Sequence, residues 1–363
     1  MNPEDTPLSC PKVGIVGAGN SASALACHLA SFDYLPVMFV RNPDIASLLR
    51  HQGSMRCTGQ LEGEFPIQVT ACPEELCADC HLIFMATTAN DYLDVAERLA
   101  PYLSEQNTIV LFSSKLAGSL AVSHFLESRD VSGVDVLETD SLFASRVQDI
   151  GHVWIRGIKR WNLYSGRCRS MTKRYEGVLE SFFPGLEPAE NLIQRGLTDF
   201  GALAHPLTLL INMNEIERQR HFLFYYEGYT PKSVSLLEKI EEEFHAVARA
   251  YDTRLLPTKE WLHRYYGCSQ NSLLEAMQTV PNYRFSQSPD RVHHRYILED
   301  VPCTLIPLQQ LARKAGLKTP MVDAVITIAS ILLGEDFERG GRTLERLGWD
   351  ALTHSEIRTA LNA

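Results

Sequence analysis

The sequence predicts an α/β protein in which a doubly wound parallel sheet is followed by a mostly α-helical domain. Up to about residue 150, short apolar runs alternate with segments of helix length, which is typical of a parallel sheet with helices on both faces. From about residue 190, long segments with a 3.6-residue apolar period dominate. A chain of 363 residues is also longer than one core usually serves. We therefore expect two domains, at residues 1–188 and 189–363.

Five apolar runs in the first domain predict strands, and they read KVGIVGAG, LPVMFVRN, CHLIFMATT, NTIVLFSS and VDVLETDSLF. GHVWIRGIKRWNLYSG, which comes next, is also β-like, and FFPGLEPAENL carries the proline and glycine expected near a domain boundary. In the second domain, SVSLLEKIEEEFHAVARAYD and PMVDAVITIASILLGEDF have the period of helices. The stretch AVITIASILLG is apolar enough to pack in a core or across a homodimer, and the pattern leaves both open.

The charge and hydropathy of the chain exclude several classes of function. The formal net charge of -10 argues against a protein that binds the phosphate backbone of nucleic acids. No apolar run reaches the ~18 residues of a membrane-spanning helix. MNPEDTPLSCPK lacks the basic-then-apolar order of a signal peptide. We therefore expect a cytoplasmic protein that binds neither nucleic acid nor membrane.

The cysteines predict neither a disulfide framework nor a metal site. Their number, nine, is odd, which fits reduced thiols better than paired ones. Cys72, Cys77 and Cys80 with His81 resemble a set of metal ligands, but no second pair at finger-like spacing follows them. We predict that no metal is bound.

The segment KVGIVGAGNSASALACHLA predicts a dinucleotide-binding turn between a strand and an Ala-rich helix. Its G-x-G-x-x-A pattern consists of Gly17 for the tight turn, Gly19 for close approach of a pyrophosphate, and Ala22 for close packing of helix on strand. The helix then begins with Asn20 and Ser21, where free N–H groups and the positive dipole end favour phosphate. We expect these five residues to form the cofactor site of a Rossmann-type domain.

The ends of two later strands bear on the choice of cofactor. In VMFVRNP, Arg41 stands where NAD-dependent enzymes have an acidic residue, and a guanidinium there favours the 2'-phosphate of NADP(H). NAD(H) stays open, because Arg41 also fits a solvated surface position. Thr87 and Thr88 follow another strand and are expected to line the cofactor, although Thr88 also fits a helix N-cap.

One histidine is a candidate acid/base. His205 heads the helical segment HPLTLLIN, and Asn212 follows two turns later on the same face, so both are expected to face one cleft. By itself His205 also fits a hydrogen-bonded core histidine. In KTPMVDAV, Asp323 lies near the start of a predicted helix and Lys318 precedes it.

Six motifs together resemble the octopine/nopaline, or opine, dehydrogenases. They read MATTANDY, HPLTLLIN, YYEGYTP, HRYILEDVP, LKTPMVDAVI and GRTLERLG, and the resemblance runs from Gly17 to about Gly348. It implies an enzyme that uses NAD(P)H to condense an α-keto acid, with pyruvate expected, reductively with the amino group of an amino acid. The product is then a secondary amine dicarboxylate.

The resemblance also implies an acid/base pair. The histidine of the HP motif transfers protons in that family, and an aspartate of the TP-x-x-D motif orients it; here these positions are His205 and Asp323. Histidine titrates in the range that such proton transfers need, and a carboxylate on its second nitrogen fixes the tautomer. Asp323 also fits a charge at a helix N-terminus that interacts with the dipole.

The two substrate carboxylates require cationic partners. Arg146 and Lys318 are candidates, and the Asn212 amide is a candidate donor to a substrate oxygen. Arg295 is a further candidate, but an ion pair with Glu299 is at least as well supported by the i,i+4 spacing.

Three functions stay open beside that of a simple opine dehydrogenase. LETDSLFASR departs from the ET-x-x-x-P form of the octopine type, and with Arg41 it favours the staphylopine-like metallophore branch, which uses a larger aminobutyrate-containing amine. YYEGYTP and GRTLERLG instead favour the simple amino-acid enzymes. The second function is that of a dehydrogenase that reduces a keto acid without an amine, and the third is that of a non-catalytic NADPH-binding sensor.

Overall fold

A computed structural model describes residues 11–268 and 270–363. The expectation about a signal peptide falls mainly on residues 1–10, which lie outside the described residues. The described part contains these strands: β1 Lys12–Val16, β2 Leu35–Phe39, β3 Ser54–Gly59, β4 Gly63–Pro66, β5 Gln68–Thr70, β6 Leu82–Met85, β7 Thr108–Phe112, β8 Asp135–Thr139, β9 Phe143–Asp149, β10 His152–Ile158, β11 Asn162–Gly166 and β12 Leu186–Pro188.

An eight-stranded sheet forms the N-terminal part, with the order β12-β11-β8-β7-β6-β1-β2-β5. All neighbours pair in parallel except β8 and β11, which are antiparallel. β1 lies where the chain changes direction across the sheet, because β2 and β5 extend to one side and β6, β7 and β8 to the other. Ligands of such sheets bind beyond the carboxyl ends of the strands at this switch point. The predicted doubly wound sheet is confirmed.

A second sheet was not predicted. It has four strands in the order β4-β3-β10-β9 and packs against the first helix, α1 (Asn20–Ala30). VDVLETDSLF, read as one strand, is divided between β8 and β9, and GHVWIRGIKRWNLYSG supplies one strand to each sheet. The sequence of β3, SMRCTG, is polar on its outer face and buries only Met55 and Cys57 in the core. Apolar and polar residues alternate over only four positions of β3, which is too short a pattern to predict a strand by itself.

Helices cover both faces of the large sheet and make up most of the C-terminal part, as predicted. After α1 they are α2 Pro43–Gln52, α3 Pro73–Asp79, α4 Tyr92–Leu99, α5 Gly118–Glu127, α6 Arg169–Arg174, α7 Val178–Phe182, α8 Leu192–Leu197, α9 Phe200–Ile211, α10 Met213–Glu217, α11 Pro231–Ala250, α12 Thr258–Tyr266, α13 Leu273–Thr279, α14 Arg295–Leu298, α15 Ile306–Lys314, α16 Pro320–Leu333, α17 Phe337–Gly340 and α18 His354–Asn362. Short 3₁₀ turns occupy Ala89–Asp91, Ala100–Tyr102 and Pro281–Phe285, and a π-helical turn occupies Val301–Leu305.

The helix that carries the candidate histidine begins earlier than predicted. α9 begins at Phe200, and the Asp199 side chain caps it by accepting the Ala202 N–H at 3.2 Å. His205 and Pro206 therefore lie in its second turn, not at its start. The proline suggested a helix start because its missing N–H is harmless there. Within α9 it instead removes one internal hydrogen bond.

The apolar helix α16 is only partly covered by the chain. Val322, Val325 and Ile326 are buried, whereas Ile328 and Ile331 are exposed. The homodimer considered for this segment stays a prediction. Within residues 11–268 and 270–363, none of the helices combines the length and the apolarity that crossing a membrane requires.

Candidate active site

A cavity of ≈ 840 Å³ opens at the carboxyl ends of the parallel strands. Its wall combines the loops after β1, β2, β6, β7 and β8 with side chains of the helical part. Nine residues singled out in the sequence lie on this wall: Gly17, Gly19, Asn20, Ser21, Arg41, Thr87, Thr88, His205 and Arg295. The fold thus places the candidate cofactor residues and the candidate acid/base around one space.

The turn after β1 has the geometry that a dinucleotide requires. Gly17 has a φ of +120°, which side chains other than glycine rarely adopt, and a Cβ there would lie 3.3 Å from the Ala86 carbonyl oxygen. A Cβ on Gly19 would meet no atom within 4 Å, so the backbone borders open space at the start of α1. Ala22 is fully buried and does not line the cavity. It supports the turn by packing and is not placed to contact a cofactor.

The side chain of Asn20 is used within the protein. Its Oδ1 accepts the Val147 N–H at 2.8 Å, and its carbonyl oxygen accepts from the Ser145 hydroxyl at 2.9 Å. Asn20 therefore joins α1 to β9 of the second sheet and leaves its backbone N–H for a ligand. The Ser21 hydroxyl lies 3.5 Å from that of Ser141, a distance at which a hydrogen bond is weak.

Arg41 and the loop after β6 lie close together on the wall of the cavity. The Arg41 guanidinium is exposed and lies 3.8 Å from the Asp91 carboxylate. Asp91 also accepts from the Thr88 hydroxyl at 3.0 Å, while the Thr87 hydroxyl points to the Thr88 carbonyl. An ion pair of this length between exposed groups is weak, so Arg41 remains available to a phosphate.

His205 is held from both sides of its ring. Nδ1 lies 2.8 Å from Oδ2 of Asp300, and Nε2 lies 2.7 Å from the Tyr225 hydroxyl. The Tyr296 ring stacks on the imidazole with a centroid distance of 3.8 Å. One turn earlier, Gly201 makes room, since a Cβ there would lie 2.8 Å from His205 Cε1. The imidazole is thereby fixed in position and in rotation.

The expected pairing of His205 with Asp323 is wrong in this structure. Asp323 lies on α16 and accepts from Gln309 Nε2 at 2.7 Å, and it does not line the cavity. Both ring nitrogens of His205 are already bonded to Asp300 and Tyr225. The carboxylate that meets the histidine comes from HRYILEDVP, where Asp300 directly precedes the π-helical turn. Such turns are frequent at functional sites.

A buried lysine links the histidine to the large sheet. Lys115 follows β7, and its ammonium lies 3.0 Å from Asp199 and 2.5 Å from Oδ1 of Asp300. Burial alone would raise the pKa of Asp300, but the charges of Lys115 and His205 lower it to about 2. Burial likewise opposes the charge of Lys115, and the carboxylates of Asp199 and Asp300 raise its pKa well above the usual value. Lys115, Asp199 and Asp300 therefore stay charged at physiological pH.

The three predicted substrate-binding residues lie away from the cavity. Arg146 is exposed on β9, and Lys318 is exposed in the loop before α16. Asn212 ends α9, and its amide donates to the carbonyl oxygens of Thr208 and Gly228 at 2.8 and 2.9 Å. Asn212 lies about 10 Å farther along the helix axis than His205, because each residue rises about 1.5 Å, and its amide is used at the end of α9.

Cations that the sequence did not single out line the cavity instead. They are Lys115 after β7, Arg156 on β10, and Lys159 after β10, which pairs with Asp140. Arg295 also lines the wall, and its guanidinium pairs with Glu299 at 2.6 Å. The ion pair weighed for it is therefore present, and its contact with a substrate carboxylate stays a prediction. Lys115 and Asp140 follow the carboxyl ends of strands, as Thr87 does. This position in the sequence could have identified them as residues that line the cavity.

Metal ligands do not converge in the described parts of the chain, residues 11–268 and 270–363. No group of three or more histidine, cysteine, aspartate or glutamate side chains there could hold a metal ion. Cys77 and Cys80 are buried, and burial raises the pKa of the Cys77 thiol to about 11. These thiols therefore stay protonated at physiological pH.

Two family models match the chain. The model described as "NAD/NADP octopine/nopaline dehydrogenase, alpha-helical domain" matches residues 188–333, and that of "Ketopantoate reductase PanE/ApbA" matches residues 13–114. The first covers α9, which carries His205, and Asp300 before the π-helical turn, and the second covers the Gly17–Gly19 turn.

Relatives match over nearly the full length. The opine dehydrogenase of Arthrobacter sp. (strain 1C) is 32% identical over 358 residues, which are 96% of this chain and 98% of the relative. An octopine dehydrogenase solved with NADH and L-arginine has a TM-score of 0.77 at 20% identity, covering 97% of this chain and 98% of that one. A yersinopine dehydrogenase solved with NADP+ has a TM-score of 0.67 at 15% identity, covering 97% of both chains. The chain belongs to the opine dehydrogenase family of NAD(P)-dependent oxidoreductases.

Proposed function

We propose that this enzyme condenses an α-keto acid, pyruvate in the first instance, with the amino group of an amino acid and reduces the resulting imine. One observation carries the proposal. His205 is held between Asp300 and Tyr225 on the wall of a cavity that begins at the Gly17–Gly19 turn. A buried carboxylate, an imidazole and a dinucleotide turn around one space are the parts that this chemistry needs.

In the proposed mechanism, the residues of this chain move and hold protons. Attack of the amine on the keto carbon gives a carbinolamine, which must lose its oxygen as water before reduction. His205 donates a proton from Nε2 to that oxygen, while Asp300 accepts from Nδ1 and stabilises the imidazolium. The Tyr225 hydroxyl is hydrogen-bonded to the same Nε2. The substrate oxygen therefore either displaces this hydroxyl or shares the hydrogen bond with it. The nicotinamide, when bound, supplies the hydride that reduces the imine.

The carboxylate of the keto acid is assigned to Arg295. This residue lines the cavity and directly precedes Tyr296, whose ring stacks on His205. Glu299 holds the guanidinium from one side and is itself buried, which fixes the direction of the remaining donors. The carboxylate of an α-keto acid is bonded to the reacting carbon, so its partner must lie beside the acid/base.

The two parts of the chain divide this work. Residues 1–188 hold the cofactor, and residues 189–363 supply the acid/base and its partner. The division is supported by β12, which ends the sheet at Pro188, and by α8, which begins the helical part at Leu192. Lys115, whose ammonium lies between Asp199 and Asp300, joins the two parts.

Oxidation of NADPH or NADH by the purified protein tests the proposed function. It is measured with pyruvate alone and with pyruvate plus a panel of amino acids and aminobutyrate-type amines. Oxidation that needs both substrates supports reductive condensation, and the preferred amine separates simple opines from metallophores. Oxidation with pyruvate alone indicates a hydroxy-acid dehydrogenase, and bound cofactor without turnover indicates a sensor.

We expect NADPH to be preferred, and Arg41→Ala tests this. Loss of one charge-assisted contact to the 2'-phosphate lowers kcat/KM for NADPH roughly 10- to 100-fold, because such contacts contribute about 1.5–3 kcal/mol. NADH has no 2'-phosphate, so its kcat/KM in the same variant serves as the control and stays nearly unchanged. Equal losses with both cofactors would show that Arg41 does not read the 2' position.

A further inference from the structure

The acidic side chains of the cavity wall are already paired. Asp91 lies 3.8 Å from the Arg41 guanidinium, Asp199 lies 3.0 Å from Lys115, and Asp140 pairs with Lys159. These are the acidic residues among those that line the cavity. The two buried carboxylates of the described wall, Asp140 and Asp199, are therefore each neutralised by a lysine, and the partly exposed Asp91 lies beside Arg41 in a weak pair.

Arg156 is in the opposite situation. Within the described residues no carboxylate lies within ion-pair distance of it, and its observed hydrogen bond runs from Nη1 to the Phe285 carbonyl oxygen at 3.2 Å. Its Nε is buried and has no hydrogen-bond partner in this structure. A guanidinium carries five N–H donors in a planar fork that matches a carboxylate, so most of these donors are available to a ligand.

The strand β10 fixes where this guanidinium points. Alternate residues of β10, Val153 and Ile155, are buried, which turns Trp154 and Arg156 to the other face of the strand. That face meets the helical part at Phe285, whose ring lies edge-on to Trp154 at 5.3 Å. Arg156 therefore projects into the cavity from the small sheet.

The surroundings of Arg156 favour an anionic ligand. Burial lowers its pKa from the usual value, and the nearby phenols of Tyr296, Tyr225 and Tyr266 act in the opposite direction. A partly buried cation without a counterion is costly, and a ligand carboxylate removes that cost. Tyr225 and Tyr296 also contact His205, and Arg156 and His205 line the same cavity, so the anion site lies in the same chamber as the acid/base.

Resting on the proposed function, we propose that Arg156 binds the carboxylate of the amino-acid substrate and that this substrate has an uncharged side chain. The amino-acid carboxylate is separated from the reacting carbon by the nitrogen and the α-carbon, so it needs a partner farther from the acid/base than Arg295. Arg156 lines the same cavity from the second sheet and is a second cation, separate from Arg295, for this carboxylate. Because lysines already neutralise the buried Asp140 and Asp199, an arginine or lysine side chain of the substrate finds no counterion at those two carboxylates.

The test compares L-leucine with 3-methylbutylamine, which is leucine without its carboxylate, each supplied with pyruvate and NADPH. The wild-type enzyme is expected to use leucine with a kcat/KM at least 100-fold higher than 3-methylbutylamine or L-arginine. Arg156→Gln raises the KM for leucine roughly 10- to 100-fold, the range given by loss of one hydrogen-bonded charge pair. Its kcat/KM for 3-methylbutylamine stays within the error of the wild type.

Arg146→Gln is the matched control, because Arg146 lies on the adjacent strand β9, is exposed and does not line the cavity. Arg146→Gln leaves kcat/KM for both amines unchanged. Arg156→Lys, which keeps the charge, has a KM for leucine between those of the wild type and Arg156→Gln. Equal losses for leucine and 3-methylbutylamine, a raised KM for NADPH, or a wild-type preference for L-arginine overturns the assignment. Absence of turnover by the wild-type enzyme with every keto acid and amine pair instead overturns the proposed function, and this assignment with it.

Discussion

Replacing His205 with alanine is expected to lower kcat by roughly 10²- to 10⁴-fold, the contribution of a positioned general acid. Dehydration of the carbinolamine needs a proton at the departing oxygen, and this imidazole lines the cavity and is held by a buried carboxylate on its far nitrogen. The loss is measured as the initial rate of NADPH oxidation at saturating pyruvate and amine.

Cofactor binding serves as the control for this variant. The Gly17–Gly19 turn and Arg41 do not contact the imidazole, so the Kd for NADPH, followed by the fluorescence of the bound nicotinamide, stays near the wild-type value. A folded His205→Ala enzyme that binds NADPH and turns over at the wild-type rate would remove His205 from the mechanism. Loss of both binding and turnover would indicate unfolding, which the circular dichroism spectrum of the variant detects.

The fold could be predicted because its main signals are local. The G-x-G-x-x-A turn, the apolar strands and the helical period each extend over one continuous segment, and β1, β2, β6, β7 and β8 lie where the apolar runs predict. The small sheet depends on pairing of β3 with β10, which are nearly one hundred residues apart in the chain. No pattern within either strand encodes that pairing.

The partner of His205 was missed for a similar reason. The spacing of residues along the chain places Asp323 on its own helix, but it does not tell which carboxylate contacts the imidazole. His205 and Asp300 are 95 residues apart in the chain. Asp300 stands beside Glu299, and both are nearly fully buried acids, which in sequence resemble solvated charges. Lys115, which follows β7, supplies the counterion of Asp300, and Arg295 supplies that of Glu299, which makes their burial tolerable. The position of Lys115 just after the apolar run NTIVLFSS was the feature of the sequence that could have indicated a buried ion pair there.

Asp300→Asn is expected to lower kcat by roughly 10³- to 10⁴-fold, as loss of the orienting carboxylate does in hydrolase triads. The pKa of Asp300 is held at about 2, so in the wild-type enzyme the carboxylate beside His205 Nδ1 is fully ionised at any pH used in an assay. An asparagine retains the size of the side chain but cannot stabilise the imidazolium, and its amide NH₂ favours the wrong tautomer. The fold survives this change, because Lys115 keeps Asp199 as a partner at 3.0 Å.

Asp323→Asn provides the matched comparison, because it makes the same chemical change at the aspartate that the sequence favoured. Its carboxylate contacts Gln309 and Thr319 and no atom of His205, so kcat is expected to stay close to the wild-type value. The two variants are compared for kcat with the same keto acid and amine, after thermal unfolding has shown that both are folded. A large loss in Asp323→Asn with an active Asp300→Asn would reverse the assignment and indicate that His205 changes its partner during catalysis. Losses in both would place Asp323 in a role that acts through α16 and not through the imidazole.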